Sequence, residues 1–314
     1  MKKYAIGIDL GGTMVKYAVV DSEGQPVFNG QGPTCAQEGV AVVMAQIRKG
    51  ISACMEYAQS VEEPLEGIGI GTPGVVSADH RTVIGGAENI SGWENIPLAY
   101  ELEVACGLPV LINNDASLMA LGETLYGAAK GATDVVFVTV GTGIGGGVLI
   151  DGKLYSGYKN HGMELGHITI KADGETCVCG GIGCLEHYAS TVALVRRFCA
   201  LSQVDEHSAS DLNGEDVVFF YKEGNPMAIC AMEEHWTYLA YGVANMINLF
   251  APQKVVIGGG ISEAGAFYLD KLREKVFRQA MAVCSAETQL VGAELGNKAG
   301  CLGAAGMIFQ NSKL

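Results

Sequence analysis

The residues with the most specific chemistry are one histidine and three cysteines within a single eighteen-residue segment. They are His167, Cys177, Cys179 and Cys184. Zinc prefers four nitrogen or sulfur ligands in a tetrahedron, and the Gly-Gly-Ile-Gly turn before the last cysteine lets the segment fold around one ion. Because protein ligands fill all four positions, the spacing predicts a structural zinc ion. The alternative is a chance grouping of free thiols.

Two carboxylates flank this segment. Glu164 lies three residues before the histidine, and Glu186 lies two residues after the last cysteine. A metal-bound histidine has a second ring nitrogen that can form a hydrogen bond, so His167 can serve the metal and a ligand together. We therefore predict that Glu164, His167 and Glu186 bind the hydroxyl groups of a polar ligand. Ordinary surface charge is the alternative for both glutamates.

Three glycine-rich turns follow apolar segments that have the composition of strands. They are Asp9-Leu10-Gly11-Gly12-Thr13, Gly141-Thr142-Gly143 and Gly258-Gly259-Gly260. Glycine lets backbone N–H groups approach an anion, and threonine hydroxyls add donors. The first two turns therefore suit phosphate groups, and the third suits a nucleoside or its α-phosphate. A purely structural turn is the alternative for each, and the chain has neither a Walker sequence nor a strand-coupled G-x-G-x-x-G.

Two aspartates stand where strands end. Asp9 leaves an apolar strand beside a phosphate turn, where a carboxylate is costly to bury, and organising Mg²⁺ through water would explain its position. Asp115 follows a second strand in the run Asn113-Asn114-Asp115. When a phosphoryl group moves to an alcohol, an aspartate accepts the hydroxyl proton. We predict this role for Asp115, and the alternative is capping of the helix that follows.

The composition limits the class of protein. With 314 residues, of which 49% are hydrophobic, the chain can bury a large core and favours two lobes over one. A net charge of −14 without a lysine or arginine cluster disfavours nucleic acid as a partner. The chain has neither a run of eighteen apolar residues nor a signal-peptide hydrophobic region. We therefore expect no membrane partner and a cytoplasmic location. Of the ten cysteines, three are assigned to zinc, and we expect the other seven to be reduced.

An internal repeat predicts the organisation of the chain. The strand Val135–Val140 and its glycine turn repeat the pattern of the opening I-G-I-D-L-G-G-T about 130 residues later, a spacing typical of a duplicated domain. Strands alternate with helices, which indicates an α/β fold. We expect two related lobes with a cleft between them, at 1–115 and 116–314, the second carrying the zinc-binding loop 167–184. Whether the final helix returns to the N-terminal lobe is left open.

Hydrophobic periodicity and turn residues predict the individual elements. The strands are a hairpin of Tyr4–Thr13 and Met14–Asp21, then Leu65–Gly71, Pro109–Ile112, Val135–Val140, Gly147–Ile150 and Val255–Ile257. The helices are Val40–Ala58, Ala116–Gly127, Leu185–Leu201, Met227–Phe250 and Phe267–Ala282.

The chain resembles the ROK (repressor, open reading frame, kinase) family in seven motifs. In chain order they are I-G-I-D-L-G-G-T, T-P-G, N-N-D-A, V-G-T-G-I-G-G-G, E-L-G-H, C-V-C-G-G-I-G-C-L-E and I-G-G-G-I-S, spanning residues 6–262. The resemblance implies the actin-like duplicated ATPase fold with its ribonuclease H-like motif. It also implies a kinase that transfers the γ-phosphate of ATP to a hexose hydroxyl, commonly the 6-OH, and by analogy a homodimer.

The resemblance also implies roles for matching residues. Asp115 matches the catalytic base of the family. The positions that match sugar contacts are Gly74, Asn89, Asn114, Gly143, Glu164, His167 and Glu186. The positions that match the nucleotide loops are Gly11, Gly12, Thr13, Thr142, Gly143, Gly259 and Gly260. His167, Cys177, Cys179 and Cys184 match the zinc ligands, so the implied cofactors are ATP, Mg²⁺ and structural Zn²⁺.

Two departures from family glucokinases bear on the substrate. Gly162-Met163 replaces the usual Ala-Gly before Glu164, and Ala116-Ser117 replaces Ala-Asn after the base. A pocket distinguishes related sugars by a few hydrogen bonds and local shape. Glucose is the first expectation, while mannose, fructose, N-acetylmannosamine, N-acetylglucosamine, allose and a β-glucoside stay open.

Two other classes of protein compete with the kinase. One is a sugar-sensing regulator without catalysis, and the other is an actin-like or chaperone-type ATPase. The first predicted strand begins within a few residues of Met1, which leaves out the helix-turn-helix extension of ROK repressors. Retention of Asp115 also argues against the sensor, and the zinc motif argues against the chaperone class.

Overall fold

The structure, a computed structural model, describes residues 2–87, 90–204 and 212–311. Its strands are β1 (Tyr4–Leu10), β2 (Met14–Asp21), β3 (Pro26–Pro33), β4 (Leu65–Thr72), β5 (Val75–Val76), β6 (Val83–Gly85), β7 (Val110–Asn114), β8 (Val135–Val140), β9 (Ile144–Ile150), β10 (Lys153–Tyr155), β11 (Lys254–Gly258) and β12 (Gln289–Gly292). Its helices are α1 (Val40–Ser60), α2 (Leu98–Cys106), α3 (Asp115–Tyr126), α4 (Leu185–Ala189), α5 (Thr191–Ser202), α6 (Gly214–Lys222), α7 (Pro226–Phe250), α8 (Ala266–Gln279), α9 (Ala282–Ser285) and α10 (Ala299–Asn311).

The two large sheets have equivalent strand orders. The first is ordered β3-β2-β1-β4-β7 and the second β10-β9-β8-β11-β12. In the first sheet β1 pairs antiparallel with β2 and parallel with β4. In the second sheet β11 runs parallel to both β8 and β12. The equivalent orders confirm the predicted α/β duplication, and the chain has the actin-like duplicated ATPase fold.

The chain forms two compact units, each built on one of these sheets. The first unit comprises Met1–Thr133, Gly147–Met163 and Glu294–Leu314. The second comprises Asp134–Gly146 and Glu164–Ala293. This division differs from the expected boundary after residue 115, because α3 packs against the last helix, α10, and α10 packs against the first sheet. Long-range helix packing, rather than chain order, therefore sets the membership of each unit.

Strand β1 is buried along its whole length because helices cover both faces of the first sheet. On one face, Ile6 and Ile8 belong to a core cluster that includes residues of α1 and α2. On the other face, Ala5 packs in a cluster with residues of α10. A side chain on Gly7 or Gly69 would collide with the α10 backbone. The glycines of β1 and β4 therefore permit the close approach of the last helix.

A buried carboxylate ties α3 to the chain segment that leads into α10. The side chain of Glu123 is fully buried. It accepts hydrogen bonds from the backbone N–H groups of Ala128 (2.8 Å), Glu294 (3.1 Å) and Leu295 (2.8 Å). Without Glu123 these N–H groups would be buried without a hydrogen-bond partner. Glu123 therefore stabilises the packing of the segment before α10 in the first unit.

We expect Glu123→Gln to lower the free energy of unfolding by about 2–3 kcal/mol, because an amide nitrogen would face backbone N–H donors in place of a carboxylate oxygen. Chemical denaturation followed by far-UV circular dichroism measures the change. The matched control is Glu274→Gln, which removes only an exposed ion pair with Arg278 and should cost less than about 0.5 kcal/mol. Equal effects of the two substitutions would contradict the role of Glu123.

The second unit contains a buried histidine on α7. The Nε2 atom of His235 lies 2.7 Å from the Tyr268 hydroxyl. Within the described ranges, its Nδ1 atom has no hydrogen-bond partner. Burial lowers the pKa of His235 to about 4, from an ordinary value of 6.5. The imidazole is therefore neutral in the folded protein at physiological pH.

This depressed pKa predicts a loss of stability in mild acid. Below pH 6.5 the unfolded chain binds a proton at His235 that the folded protein does not bind until about pH 4. The stability is therefore fully present above pH 6.5 and falls between pH 6.5 and 4, by up to about 3 kcal/mol. We expect His235→Gln to flatten the pH dependence of the unfolding free energy across this window relative to the wild type. Parallel pH profiles of the two proteins would refute this.

Most predicted elements are present, with differences at their ends. The predicted helix Leu185–Leu201 is broken at Ser190, whose backbone is extended and whose hydroxyl accepts a hydrogen bond from the backbone N–H of Ala193, capping α5. The helix predicted to reach Ala282 ends at Gln279. In the part of the chain that the structure describes, no helix is long and apolar enough to cross a membrane.

Candidate active site

The predicted base lies at the junction of β7 and α3. Asn114 ends the strand and caps the helix, since its side-chain oxygen accepts a hydrogen bond from the backbone N–H of Ser117 (3.1 Å). Asp115 is the first residue of the helix, and its Oδ1 accepts a hydrogen bond from the N–H of Ala116 (2.8 Å). The N-cap is therefore Asn114, and the capping role considered for Asp115 belongs to its neighbour.

Burial raises the pKa of Asp115 above its ordinary value, and the hydrogen bond from the Ala116 N–H partly opposes this. A carboxylate with a raised pKa is a better proton acceptor than a solvated one. The N-terminus of α3 also favours the anionic form. The group thus has the environment expected of a general base.

Gly74 lies against the same helix cap. The side-chain amide of Asn114 donates a hydrogen bond to the carbonyl oxygen of Gly74 (3.2 Å). Gly74 has a φ of 87°, and a side chain there would collide with the carbonyl oxygen of Gly85. The structure therefore brings Gly74, Asn114 and Asp115 together in the first unit. The predicted sugar contact Asn89 lies outside the described residues.

A second acid of the first unit, Asp9, is 5% exposed at the end of β1. Burial and, to a smaller extent, the negative charge of Asp115 raise its pKa to about 6, against the opposing charge of Lys16. A side chain on Gly300, in the first turn of α10, would collide with the Asp9 carboxylate. The helix N-terminus therefore contacts the carboxylate directly.

The first glycine turn is held by short backbone contacts beside Asp9. The N–H of Gly11 donates to the carbonyl oxygen of Met14 (3.0 Å), and the Thr34 hydroxyl donates to the carbonyl oxygen of Gly11 (2.6 Å). Gly12 and Thr13 are exposed at the tip. Two neighbouring carboxylates beside an exposed phosphate-type turn fit the oxygen ligands that Mg²⁺ prefers.

The raised pKa of Asp9 predicts that removing its charge increases stability but lowers activity. Above pH 6 the Asp9 carboxylate is ionised in the folded protein, where burial makes the charged form costly. The unfolded chain, in which this pKa is 3.8, does not have that cost. Without Mg²⁺ or nucleotide, Asp9→Asn should therefore increase the free energy of unfolding at pH 7.5 by up to about 3 kcal/mol. The gain should disappear below pH 4, where both states are protonated, and kinase activity should fall. A destabilised variant at pH 7.5 would contradict this account.

In the second unit, Glu186 joins the zinc-type segment to a glycine turn. Its Oε2 accepts a hydrogen bond from the backbone N–H of Ile144 (2.8 Å). A side chain on Gly143 would collide with the same carboxylate oxygen. The backbone N–H of Thr191, at the start of α5, donates to the carbonyl oxygen of Gly141 (2.8 Å). Gly143 therefore lies in direct contact with the Glu186 carboxylate.

The Glu164–His167 turn packs on Ile144, the residue whose N–H donates to Glu186. A side chain on Gly166 would collide with the carbonyl oxygen of Ile144. The backbone N–H of His167 donates to the carbonyl oxygen of Glu164 (3.0 Å), and the Glu164 residue is exposed. Ile144 thus contacts Glu186 through its N–H and the turn through its carbonyl group. The structure brings the four predicted sugar-contact positions of the second unit to one place.

Met163 adopts a left-handed backbone with a φ of 69°. Glycine, the residue that the family resemblance leads us to expect here, adopts this conformation without steric cost. The methionine therefore accepts strain of about 1 kcal/mol while it keeps the same backbone region.

The four predicted metal ligands form one cluster. The ligand atoms of His167, Cys177, Cys179 and Cys184 all lie within 4.8 Å of one another. Cys177 Sγ lies 3.7 Å from His167 Nδ1, and Cys179 Sγ lies 3.6 Å from Cys184 Sγ. Zn–S bonds of about 2.3 Å and Zn–N bonds of about 2.1 Å in a tetrahedron place such atoms about 3.6–3.8 Å apart. The donor set and its spacing fit a zinc ion, and because Nδ1 faces the thiols, Nε2 of His167 remains for a ligand.

Glycines shape the loop around this cluster. A side chain on Gly181 would press on the sulfur atoms of Cys179 and Cys184, and the Gly181 N–H donates to Cys179 Sγ (3.4 Å). Gly183 has a φ of 70°, and a side chain there would collide with the backbone of Lys171. The Gly-Gly-Ile-Gly turn therefore has the compact geometry that the sequence predicted for it.

A cavity of about 990 Å³ lies within the second unit. Two of the predicted nucleotide positions, Thr142 and Gly260, line it. Its walls include Val192 and Phe219, which are apolar yet 52% and 58% exposed. Gly259 does not line the cavity, and a side chain on it would collide with the Val140 carbonyl oxygen, so packing between strand ends accounts for that glycine. Apolar walls beside polar loops are typical of a nucleoside pocket.

Sequence reasoning missed several residues that line this cavity. They include Arg196, Asn213, Lys222 and Glu263. Lys222 ends α6 and donates a hydrogen bond to the carbonyl oxygen of Ala264 (3.1 Å). Arg196 lies on α5, Asn213 caps α6, Lys222 ends α6, and Glu263 lies in the 3₁₀ segment Gly260–Ala264. No sequence pattern links these residues to one another. Only the packing of those elements places them around one cavity.

Comparison with known proteins agrees with this geometry. The ROK family model matches residues 5–311. A glucokinase of Halalkalibacterium halodurans is 33% identical and covers 98% of this chain and 96% of its own length. The crystal structure of a ROK family glucokinase from Streptomyces griseus, in complex with glucose and AMPPNP, has a TM-score of 0.83 at 33% identity over 98% of this chain and 99% of that one. A xylose repressor of Caldicellulosiruptor bescii is 30% identical over 98% of this chain and 78% of the repressor.

The chain therefore belongs to the ROK family, as its motifs predicted. Within that family it is similar over nearly its full length to glucokinases.

Proposed function

We propose that this protein phosphorylates glucose at the 6-OH with ATP, with Asp115 as the general base. The observation that carries this proposal is the Asp115 carboxylate at the start of α3, with its pKa raised by burial, in a chain similar to glucokinases along nearly its whole length. The chain is an ATP-dependent sugar kinase, and the choice of glucose follows the substrate named for these relatives.

Residues of the second unit are proposed to bind ATP. The adenosine part fits the cavity lined by Thr142 and Gly260, where Val192 and Phe219 offer apolar contact to the base. In the first unit, Gly12 and Thr13 offer backbone N–H groups and a hydroxyl to phosphate oxygens. Gly11 shapes this nucleotide turn, because its own N–H donates to the Met14 carbonyl oxygen. Asp9 would hold Mg²⁺ through water, and the ion, when bound, neutralises charge on the phosphate groups.

The hexose is proposed to bind through polar side chains and one glycine backbone segment. Asn114 and the backbone at Gly74 are assigned to its hydroxyls, together with Glu164, His167 and Glu186. Oδ1 of Asp115 already accepts one hydrogen bond from the Ala116 N–H. The other oxygen is therefore assigned to the reacting hydroxyl, whose proton it takes as the phosphoryl group arrives. Asn89 keeps its proposed sugar-contact role.

Structural zinc is proposed at the four-ligand cluster. His167, Cys177, Cys179 and Cys184 would hold the ion, which supplies rigidity rather than reactivity because no position is left for substrate. The loop that carries the cysteines leads directly to Glu186, and Glu186 contacts Ile144. Zinc would therefore order the loop that presents two of the proposed hexose ligands.

An ADP-release assay with a panel of hexoses tests the function. We expect ADP release that depends on sugar, with the highest kcat/KM for glucose among glucose, mannose, fructose, allose, a β-glucoside and the two N-acetylhexosamines. ADP release without any sugar would indicate an ATPase of another class. Preference for a different hexose would overturn the proposed substrate but retain the kinase.

One observation favours the hypothesis that the protein is a sugar-sensing regulator. The chain is 30% identical to a xylose repressor. A sugar-sensing regulator would bind hexose without releasing ADP under any condition of the same assay. The carboxylate at Asp115 favours the kinase, because a sensor needs no proton acceptor.

We also propose that the protein is a cytoplasmic homodimer, by analogy with the family. Light scattering coupled to size-exclusion chromatography should give twice the chain mass of 32.8 kDa. A monomeric mass at micromolar concentration would refute the dimer.

A further inference from the structure

A second cavity, of about 390 Å³, lies in the first unit and has no role in the proposed reaction. It is lined by Ala78, His80, Asn113, Leu121, Leu154, Tyr155, Ser156, Gly157, Lys159, Asn160, Met307, Gln310 and Asn311. These residues come from the loop between β5 and β6, the end of β7, α3, β10 with the segment after it, and the C-terminal part of α10. The volume is within the range of small-ligand pockets.

The charge of this lining is unusual for the chain. The chain has 34 acidic residues and a net charge of −14, yet none of the lining residues is acidic. Lys159 lies 5.6 Å from the centre of the Tyr158 ring, and it forms no salt bridge with any carboxylate in the described ranges. His80 points Nδ1 to the carbonyl oxygen of Ile112 (3.2 Å), which leaves Nε2 for another partner. The cavity therefore favours an anion.

The remaining polar lining consists of amides and hydroxyls. The side chains of Asn113, Asn160, Gln310 and Asn311, with those of Tyr155 and Ser156, offer both donors and acceptors. Such groups match the hydroxyls of a polyol. A lysine and a histidine beside many neutral hydrogen-bonding groups suit a ligand with one phosphate and several hydroxyls.

Backbone strain is concentrated along the same wall. His80, Lys159 and Asn160 have φ values of 59°, 56° and 65°, in the left-handed region that non-glycine residues rarely adopt. Strain of this kind persists where surrounding contacts fix it, and it is common at ligand sites. The contacts that fix Asn160 are its hydrogen bonds to the Val76 carbonyl oxygen (3.0 Å) and to Asn113 Oδ1 (3.3 Å).

The hydrogen bond between Asn160 and Asn113 connects this cavity to the proposed active site. Asn113 is 3% exposed, and its Oδ1 accepts hydrogen bonds from Asn160 and from the backbone N–H of Asn114 (2.9 Å). Asn114 caps the helix that begins with Asp115. A ligand that competes for the amides of Asn113 or Asn160 would therefore act on the backbone that positions the base.

We propose that this cavity is a regulatory site for a sugar phosphate, the class of molecule that the kinase produces. That a sugar phosphate is the product of this enzyme rests on the proposed function. Binding at a site apart from the reacting groups would lower turnover without displacing glucose, which gives the enzyme feedback from its own product.

Calorimetry with the full chain, saturated with glucose and AMPPNP, tests the site. Glucose 6-phosphate should still bind to this complex, with inorganic phosphate binding at least about tenfold more weakly. Lys159→Gln should weaken glucose 6-phosphate binding about tenfold, because it removes one charge-assisted hydrogen bond. The matched control is Lys153→Gln, an exposed lysine on β10 that does not line the cavity, and its affinity should equal that of the wild type.

Three results would overturn the proposal. They are loss of glucose 6-phosphate binding in the saturated complex, equal affinities of the Lys159→Gln and wild-type proteins, and equal affinities for glucose 6-phosphate and inorganic phosphate. Initial rates by ADP release add a second readout, in which glucose 6-phosphate should lower kcat rather than raise the KM for glucose. Because calorimetry needs no turnover, a protein that binds glucose 6-phosphate but phosphorylates no hexose would disprove the kinase and not the site.

Discussion

Replacing Asp115 with asparagine should reduce hexose phosphorylation by about a thousandfold or more while leaving hexose affinity within a few-fold of the wild type. Asparagine keeps the size of the side chain and an oxygen for the Ala116 N–H, which lies 2.8 Å from Oδ1. It cannot accept the proton of the sugar hydroxyl. The substitution therefore removes the chemical role and retains most of the binding contacts.

Steady-state kinetics by ADP release and direct hexose titration measure the two quantities separately. Asp270→Asn is the matched control, since it removes an exposed carboxylate that pairs only with Arg273 in the described chain, and its activity should equal that of the wild type. Turnover of Asp115→Asn within tenfold of the wild type would reject Asp115 as the base.

The pH profile of the wild-type enzyme gives a further check on the base. Burial raises the pKa of Asp115 above the ordinary 3.8, and only the deprotonated form accepts a proton. The rate should therefore fall as the pH decreases through this raised pKa, so that the acidic limb lies above pH 3.8.

Loss of a zinc ligand should have the second largest effect. We expect about one zinc ion per chain, and Cys177→Ser or Cys184→Ser should release it, lower the melting temperature by several degrees and raise the KM for hexose. The reason is the shared loop: the ion would fix the cysteines and His167 together, and the chain then continues directly into Glu186. A strong chelator should reproduce the effect in the wild type.

Cys230→Ser is the matched control for these variants. Cys230 is exposed on α7 and lies outside the cluster, with its Sγ 3.7 Å from Glu234 Oε1. Metal content by mass spectrometry, melting temperature and KM should be unchanged in this variant. Protein without zinc that melts and turns over like the wild type would disprove the structural role of the metal.

The sequence alone determined the features that depend on neighbours along the chain. The zinc-type ligands lie within eighteen residues, so the loop between them can bring them together whatever the rest of the fold does. The β1–β2 hairpin, the strand ends that carry Asp9 and Asp115, and the repeat at Val135–Val140 were likewise visible, because strand composition and glycine turns are local signals.

Only the tertiary structure decided what distant residues do to one another. Asp9 and Asp115 are far apart in the chain, yet the charge of one raises the pKa of the other, since β1 and β7 flank the same strand, β4. Gly300 must lack a side chain because α10 approaches the Asp9 carboxylate. Lys222 lines the cavity of about 990 Å³ in the second unit because α6 packs beside two glycine turns. No local pattern encodes these contacts, which arise from the burial of helix faces against sheets that bring remote segments together.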